Sequence, residues 1–315
     1  MAESIKYSLS TMWAQQKRFD DMHEFARAAE SLGYDAIEVS HATPTEQFER
    51  LLDGASSANL KDGPRVNISS IHAPAPLVKL DGKRNSSLNL AALDGERDTA
   101  IEFTKGSIDH AASAGARWVV VHLGGVGSKM LDSELKHRKL FDSGTQTGPE
   151  IDALRNETLE RRAELAPPYF EKARESLAEL AAYAKERDVA IGLENRLHYH
   201  EFPLPNEALE LCSDYEHDLV GYWHDVGHAE VQARLGYVDK RLWLDTLKER
   251  TLGVHLHDVD GLADHRAPGN GDVEWDYIAD GIPQDALRVF EINQHQADAD
   301  VAGAIAFLRE RGVIQ

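Results

Sequence analysis

Short β-branched runs alternate with longer amphipathic stretches along almost the whole chain. The runs are KYSLS (6–10), YDAIEVS (34–40), VNISSIHAP (66–74), RWVVVHLGG (117–125), VAIGLENR (189–196), LVGYWHDVGH (219–228), TLGVHLHD (251–258) and ALRVFEIN (286–293). Apolar runs of this length predict strands. The stretches at 18–33, 169–188 and 298–312 predict helices. In the second, Phe170, Ala173, Leu177, Leu180, Ala181 and Ala184 recur at i, i+3, i+4 spacing, as one buried helix face requires.

Apolar strands that each lead into a helix imply parallel strands covered on their outer side. Eight such units predict an α/β fold, a closed (β/α)8 TIM barrel, as one domain over residues 1–315. An open doubly wound sheet announces itself by a Gly-rich phosphate turn after its first strand. Here that strand leads into Thr-Met-Trp-Ala-Gln-Gln instead. The polar stretches 75–97 and 126–166 follow strands three and four and are expected as long loops at the mouth of the barrel. The second ends at Pro167-Pro168, a pair that suits the start of a helix.

Composition narrows the function. The 315 residues carry 54 Asp and Glu against 34 Lys and Arg, a formal net charge of −20. That balance disfavours nucleic acid or an anionic membrane as partner, because both need a basic surface to displace counterions. A single cysteine, Cys212, excludes an intrachain disulfide and Cys-based zinc modules. No apolar run is long enough for a membrane span, and MAESIKYSLS does not read as a signal peptide, so a cytoplasmic protein is expected.

The polar residues carry the chemistry through their position. His72, His122, Glu194, Asp225 with His228, His255 with His257, and Glu291 all stand at or just beyond the C-terminal ends of expected strands, and His265 follows in the next loop. In a parallel barrel these ends converge on one mouth. One histidine or acid at a strand end is ordinarily a solvated or capping group. Several at the same end, with Glu194 and Glu291 interrupting apolar strands, point to a shared metal site, since charges are seldom buried unless paired or metal-bound. His255 and His257 share a strand face. Asp225 and His228 are three apart, so the chain must turn at Val226-Gly227. Arg196, His198 and His200 follow strand five and face the mouth only if that loop folds inward. Trp118, Trp223 and Trp243 read as packing residues, Cys212 as a small buried one, and Glu38 as a partner for some neighbouring group.

The segments LENR (193–196), HDVGH (224–228), HLHD (255–258), HRAPGNG (265–271) and FEI (290–292) together resemble the xylose isomerase-like TIM-barrel superfamily. That group contains sugar phosphate isomerases and epimerases, inosose-processing enzymes and tagatose/psicose epimerases, and it shares its fold with AP endonuclease family 2. The likeness runs from about residue 5 to 312, most fully from residue 189 onward. It implies a single-ion site on Glu194, Asp225, His255 and Glu291, with Glu194 and Glu291 as the catalytic proton carriers. It also assigns His228 to substrate binding. His72, His122, Arg196, His257 and His265 are the further candidates for substrate contact. Three carboxylates and one imidazole form a hard donor set, which suits Mn2+ best, with Mg2+, Co2+ or Zn2+ as substitutes. The implied reaction is isomerisation or epimerisation of a sugar, sugar phosphate or polyhydroxy ketone through an enediolate. A small-molecule carbohydrate partner follows, and the family's frequent dimers and tetramers make a homo-oligomer an open expectation.

Two rivals use the same scaffold. A lyase or dehydratase would eliminate a β-leaving group from the same enediolate. An endonuclease IV-like zinc phosphodiesterase would use a larger ligand set, and many of its positions recur here. Its D-x-H element does not: aligned on His265, Ala263 stands where the aspartate belongs, and Asp264 is out of phase by one residue. The acidic charge also weighs against DNA. The basic cluster Lys136-His-Arg-Lys139 reads as a solvated helix face.

Overall fold

A computed structural model describes residues 7–15, 19, 21–56 and 67–315. The expected strand residues Lys6 and Val66, and the expected helix residues Arg18 and Asp20, lie outside the described residues. Eight parallel strands close into a barrel: β1 (Tyr7–Ser10), β2 (Ala36–Val39), β3 (Ile68–His72), β4 (Trp118–Val121), β5 (Ala190–Glu194), β6 (Val220–Asp225), β7 (Thr251–Leu256) and β8 (Leu287–Phe290). They neighbour one another in chain order, and β8 pairs with β1 to seal the ring. This is a TIM barrel.

Ten helices accompany the strands among the described residues: α1 (Met22–Ser31), α2 (Thr45–Ser56), α3 (Glu96–Ala114), α4 (Asp132–Asp142), α5 (Pro149–Lys185), α6 (Pro205–Ser213), α7 (Val226–Arg234), α8 (Lys240–Leu247), α9 (Trp275–Gly281) and α10 (Asp298–Glu310). None is long and apolar enough to cross a membrane. The main apolar core lies between the ring of strands and these helices. A smaller one fills the barrel itself, built from Val120, Ala190, Trp223, Leu252, Leu287 and Val289.

Trp223 is the largest piece of that plug. Gly192 on β5 and Gly253 on β7 flank it, and a Cβ at either would come within 2.7 Å or 2.5 Å of the indole. The glycines make room for the ring, and the ring closes the barrel beneath the mouth. Trp223 and Trp243 are both fully buried, in agreement with a packing role.

The segment 126–166 is not a loop. It contains α4 and the first half of α5, which turn back on each other as a helical hairpin before the second half of α5 covers the barrel. Pro167 and Pro168 fall inside α5 rather than at its start. The first half buries only a narrow, largely polar stripe of Ile151, Thr158, Arg162 and Ala166. Hydrophobic periodicity therefore gives little sign of it. Residues 75–97 remain irregular apart from a two-stranded hairpin, a 3-10 turn and the start of α3.

Candidate metal centre

Glu194 and Asp225 are the last residues of β5 and β6, His255 is the penultimate residue of β7, and Glu291 directly follows β8. The barrel thus delivers all four side chains to one point. His255 Nδ1 lies 2.7 Å from Glu194 Oε1, 3.2 Å from Glu291 Oε2 and 3.5 Å from Asp225 Oδ2. One donor atom from each of the four lies within 4.8 Å of every other. Ligands at about 2.1 Å from a small dication stand about 3 Å apart in an octahedron, so these spacings are compatible with a cation's coordination shell.

Glu291 supplies the test of fit. Its side chain is 1% exposed, yet neither oxygen makes a hydrogen bond. Its neighbours are the imidazoles of His72, His255 and His265 at 3.2–3.4 Å, and a buried carboxylate with no hydrogen bond needs cationic charge, from such rings or from a metal ion, to offset its burial. Burial raises the pKa of Glu194, Asp225 and Glu291, but adjacent imidazole charges outweigh it and hold all three well below the usual carboxylate range. The pocket therefore presents three carboxylates and one imidazole, and these residues fit a hard divalent cation.

A surrounding layer aims these donors. His255 Nε2 faces Glu38 at 3.0 and 3.2 Å, and Ser70 Oγ donates to Glu38 Oε2 at 2.8 Å. With Nε2–H directed at Glu38, Nδ1 is the nitrogen turned toward Glu194 Oε1 at 2.7 Å, and loss of its proton would offer a cation its lone pair. His257 accepts the backbone N–H of His265 at Nδ1, so its Nε2–H donates to Asp225 at 3.0 Å from each oxygen. His255 and His257 thus do share one strand face, but His257 is fully buried behind Asp225 with both nitrogens engaged, rather than open to the mouth.

The turn between Asp225 and His228 is a strand-to-helix junction. Asp225 caps α7, and its Oδ1 accepts the His228 backbone N–H at 2.6 Å. Gly227 is required there by space and not by backbone twist, since a Cβ would overlap the His257 ring. His228 Nδ1 donates to the Asn195 carbonyl at 2.9 Å, leaving Nε2 toward Asp264 at 3.7 Å.

His72 and His122 stand on the other side of Glu194. Their Nε2 atoms are 2.6 Å apart, and that of His122 lies 2.5 Å from Glu194 Oε2. Arg196 Nη1 donates to both Glu194 Oε2 at 2.8 Å and His122 Nε2 at 2.6 Å, so its part of the loop does fold inward. His41, absent from the sequence-based candidates, packs its ring against His72 and His122 at centroid distances of 4.9 and 5.7 Å. Burial and the His72 charge push its pKa down to about 3, which keeps it neutral. His198 and His200 instead flank Glu134 of α4, at 3.7 and 3.6 Å.

Asp264 corrects the phase argument. In a regular strand Asp264 and His265 would face opposite ways. His265 has φ +56°, and that left-handed residue lets both side chains turn to the same side. Asp264 Oδ1 lies 3.0 Å from His265 Nδ1, and His228, Asp264 and His265 form a further group of clustered donors. His265 Nε2 is 3.3 Å from Glu291 Oε2, which joins this group to the central one.

A family model described as "Xylose isomerase-like TIM barrel" matches residues 26–311. This chain belongs to that family. Among curated proteins, y4fM of Sinorhizobium fredii (strain NBRC 101917 / NGR234), itself uncharacterised, is 27% identical over 192 residues, covering 60% of this chain and 50% of that one. The chain thus spans about half the length of that relative. Solved structures share the fold at low identity. A D-psicose 3-epimerase from Clostridium cellulolyticum H10, solved with D-tagatose, superposes with TM-score 0.66 at 14% identity, covering 98% of this chain and 99% of that one. The 3-keto-D-glucoside 4-epimerase of E. coli gives 0.63 at 15% identity over 98% and 100%. A D-tagatose 3-epimerase-like protein gives 0.63 at 17% identity over 98% and 97%. The xylose isomerase-like fold is therefore set on the family match and the barrel together.

Proposed function

We propose that this protein is a divalent-metal-dependent isomerase or epimerase acting on a sugar, sugar phosphate or related polyhydroxy ketone. The observation that carries the reading is the buried Glu291 carboxylate, which makes no hydrogen bond and shares one pocket with His255, Glu194 and Asp225. Glu194, Asp225, His255 and Glu291 hold one ion in this reading, Mn2+ first. Bound there, a dication polarises a substrate carbonyl and acidifies the neighbouring C–H.

The chain's own residues do the rest. One of Glu194 and Glu291 takes the carbon-bound proton, giving the enediolate of the substrate, and a carboxylate returns a proton. Return to the opposite face of the same carbon inverts it, and return to the adjacent carbon interconverts aldose and ketose. Glu194 on β5 and Glu291 after β8 are three strands apart around the ring, which suits work on two faces of one substrate. His72, His122, Arg196, His228 and His265 surround the carboxylates as substrate contacts, while His257 steadies Asp225. Several solved structures of this fold are of sugar epimerases, which is consistent with this chemistry.

The test is exchange at carbon. Metal-depleted protein resupplied with Mn2+ is incubated in D2O with a panel of ketohexoses, and loss of the C–H signal beside the carbonyl is followed by proton NMR. Exchange that requires Mn2+ and disappears in Glu291→Gln supports the reading. Absence of exchange across free and phosphorylated sugars counts against it.

A second reading has one specific observation behind it. Three of the five overlapping donor groups span the mouth: His72 with His122 and Glu194, the central four, and His228 with Asp264 and His265. More than one ion fits such a set, as in an endonuclease IV-like zinc phosphodiesterase. The net charge of −20 opposes a polyanionic substrate. Cleavage of an abasic-site duplex by zinc-loaded protein, without sugar exchange, would favour this alternative.

A further inference from the structure

We propose that Asn195 is a positioning residue that sets the separation of Glu194 and Asp225, and through it the affinity of the pocket for a divalent cation. The proposal rests on the metal-site reading above. Glu194 pairs with Trp223 at the end of the β5–β6 ladder, while β6 runs on to Asp225. Beyond that point no backbone pairing of the two strands would hold the two carboxylates in register.

Asn195 takes over with its side chain. Its Nδ2 donates to the Asp225 carbonyl at 2.9 Å, and its Oδ1 accepts the Asp225 N–H at 2.7 Å. These are the two bonds a strand neighbour would make, supplied by one carboxamide. Only an amide offers a donor and an acceptor at this reach: Asp lacks the donor, and Gln is one methylene too long. The residue is fully buried, so nothing in solvent replaces the bonds if they are lost.

Two further contacts lock it. Tyr222 Oη donates to Asn195 Oδ1 at 2.8 Å and lies 2.8 Å from His224 Nδ1, which donates to it in turn. The Tyr222 ring is buried and stacked on Trp243, with centroids 6.1 Å apart and planes within 4°. On its main chain, Asn195 accepts His228 Nδ1–H at 2.9 Å, so the same residue directs His228 Nε2 toward Asp264. One side chain thereby ties the position of a candidate ligand, Asp225, to that of its neighbour Glu194. Its carbonyl aims the imidazole that stands beside them.

The test is Mn2+ binding by the 315-residue chain, read from the electron paramagnetic resonance signal of free and bound Mn2+. Asn195→Ala is expected to bind about 10- to 100-fold more weakly than wild type. Tyr222→Phe, which removes one hydrogen bond and keeps the ring, is expected to bind about 2- to 10-fold more weakly. Thermal melts run alongside. A folded Asn195→Ala with wild-type Mn2+ affinity overturns the proposal, whatever its melting temperature. If Asn195→Ala does not fold, Tyr222→Phe decides, and unchanged affinity there overturns it as well. Wild-type protein that takes up no Mn2+ would instead overturn the metal-site reading on which the proposal rests.

Discussion

His255 and Glu38 meet across the barrel interior: the imidazole Nε2 lies 3.0 and 3.2 Å from the two carboxylate oxygens, although β2 and β7 are three strands apart in the ring. Both side chains are fully buried. The pair fixes which nitrogen of His255 faces Glu194, Asp225 and Glu291. Glu38→Ala is expected to weaken Mn2+ binding by about 10- to 100-fold, as loss of a carboxylate behind a histidine ligand does elsewhere. Glu38→Gln keeps an acceptor for Nε2–H and should fall between. Calorimetric titration of the metal-free variants checks both.

Gly227 offers a prediction whose sign is decided by packing. Alanine normally stabilises a helix relative to glycine by about 1 kcal/mol. Here the added Cβ overlaps His257, which holds Asp225. Overpacking of a buried site costs about 1–3 kcal/mol, so Gly227→Ala should destabilise on balance. Thermal melting measures this, and Mn2+ affinity should fall with it because His257 must leave Asp225.

Trp223 is expected to matter for stability first. Its indole fills the barrel between Gly192 and Gly253 and sits edge-on to His255, with ring centroids 5.5 Å apart. Trp223→Ala should cost about 3–5 kcal/mol. Urea denaturation gives the number. Trp223→Phe should recover part of the loss.

The helical hairpin carries an acid-sensitive tie. Glu134 of α4 is fully buried and accepts the backbone N–H groups of Tyr199 and His200 at 2.9 and 3.4 Å. Burial opposes its ionisation, but His198, His200 and the Tyr199 amide prevail and bring its pKa down to about 2. A depressed carboxyl contributes its stability above the ordinary pKa of 4.5 and loses it as pH falls toward 2. The full difference amounts to about 3 kcal/mol at most. The stability advantage of wild type over Glu134→Gln should therefore shrink between pH 4.5 and 2, as urea melts at successive pH values will show.

The barrel was readable because each strand is a compact β-branched run, and in α5 the face of Ala173, Leu177, Leu180, Ala181 and Ala184 is buried as its spacing implies. The hairpin was not readable, because its buried stripe includes Thr158 and Arg162. Arg162 is held by the Tyr199 carbonyl and a two-bond pair with Glu207, not by apolar contact. The convergence of Glu194, Asp225, His255 and Glu291 followed from their place at strand ends. Asp264 escaped because strand alternation hides it, and only the left-handed backbone at His265 brings it round. His41 stands two residues past β2 and directly after the expected run 34–40, so the positional argument applied to the other histidines reaches it as well. Asn195 stands within the LENR segment but carries no readable role there, since a buried amide bridging two strand ends looks in sequence like any loop asparagine.

The most direct measurement is elemental analysis of the purified protein, counted per chain, for wild type and Glu291→Gln. One Mn- or Mg-class ion per wild-type chain, reduced in the variant, is the predicted result. Two or three zinc ions per chain, or an ion content that Glu291→Gln leaves unchanged, would contradict the single-ion site proposed for these four residues.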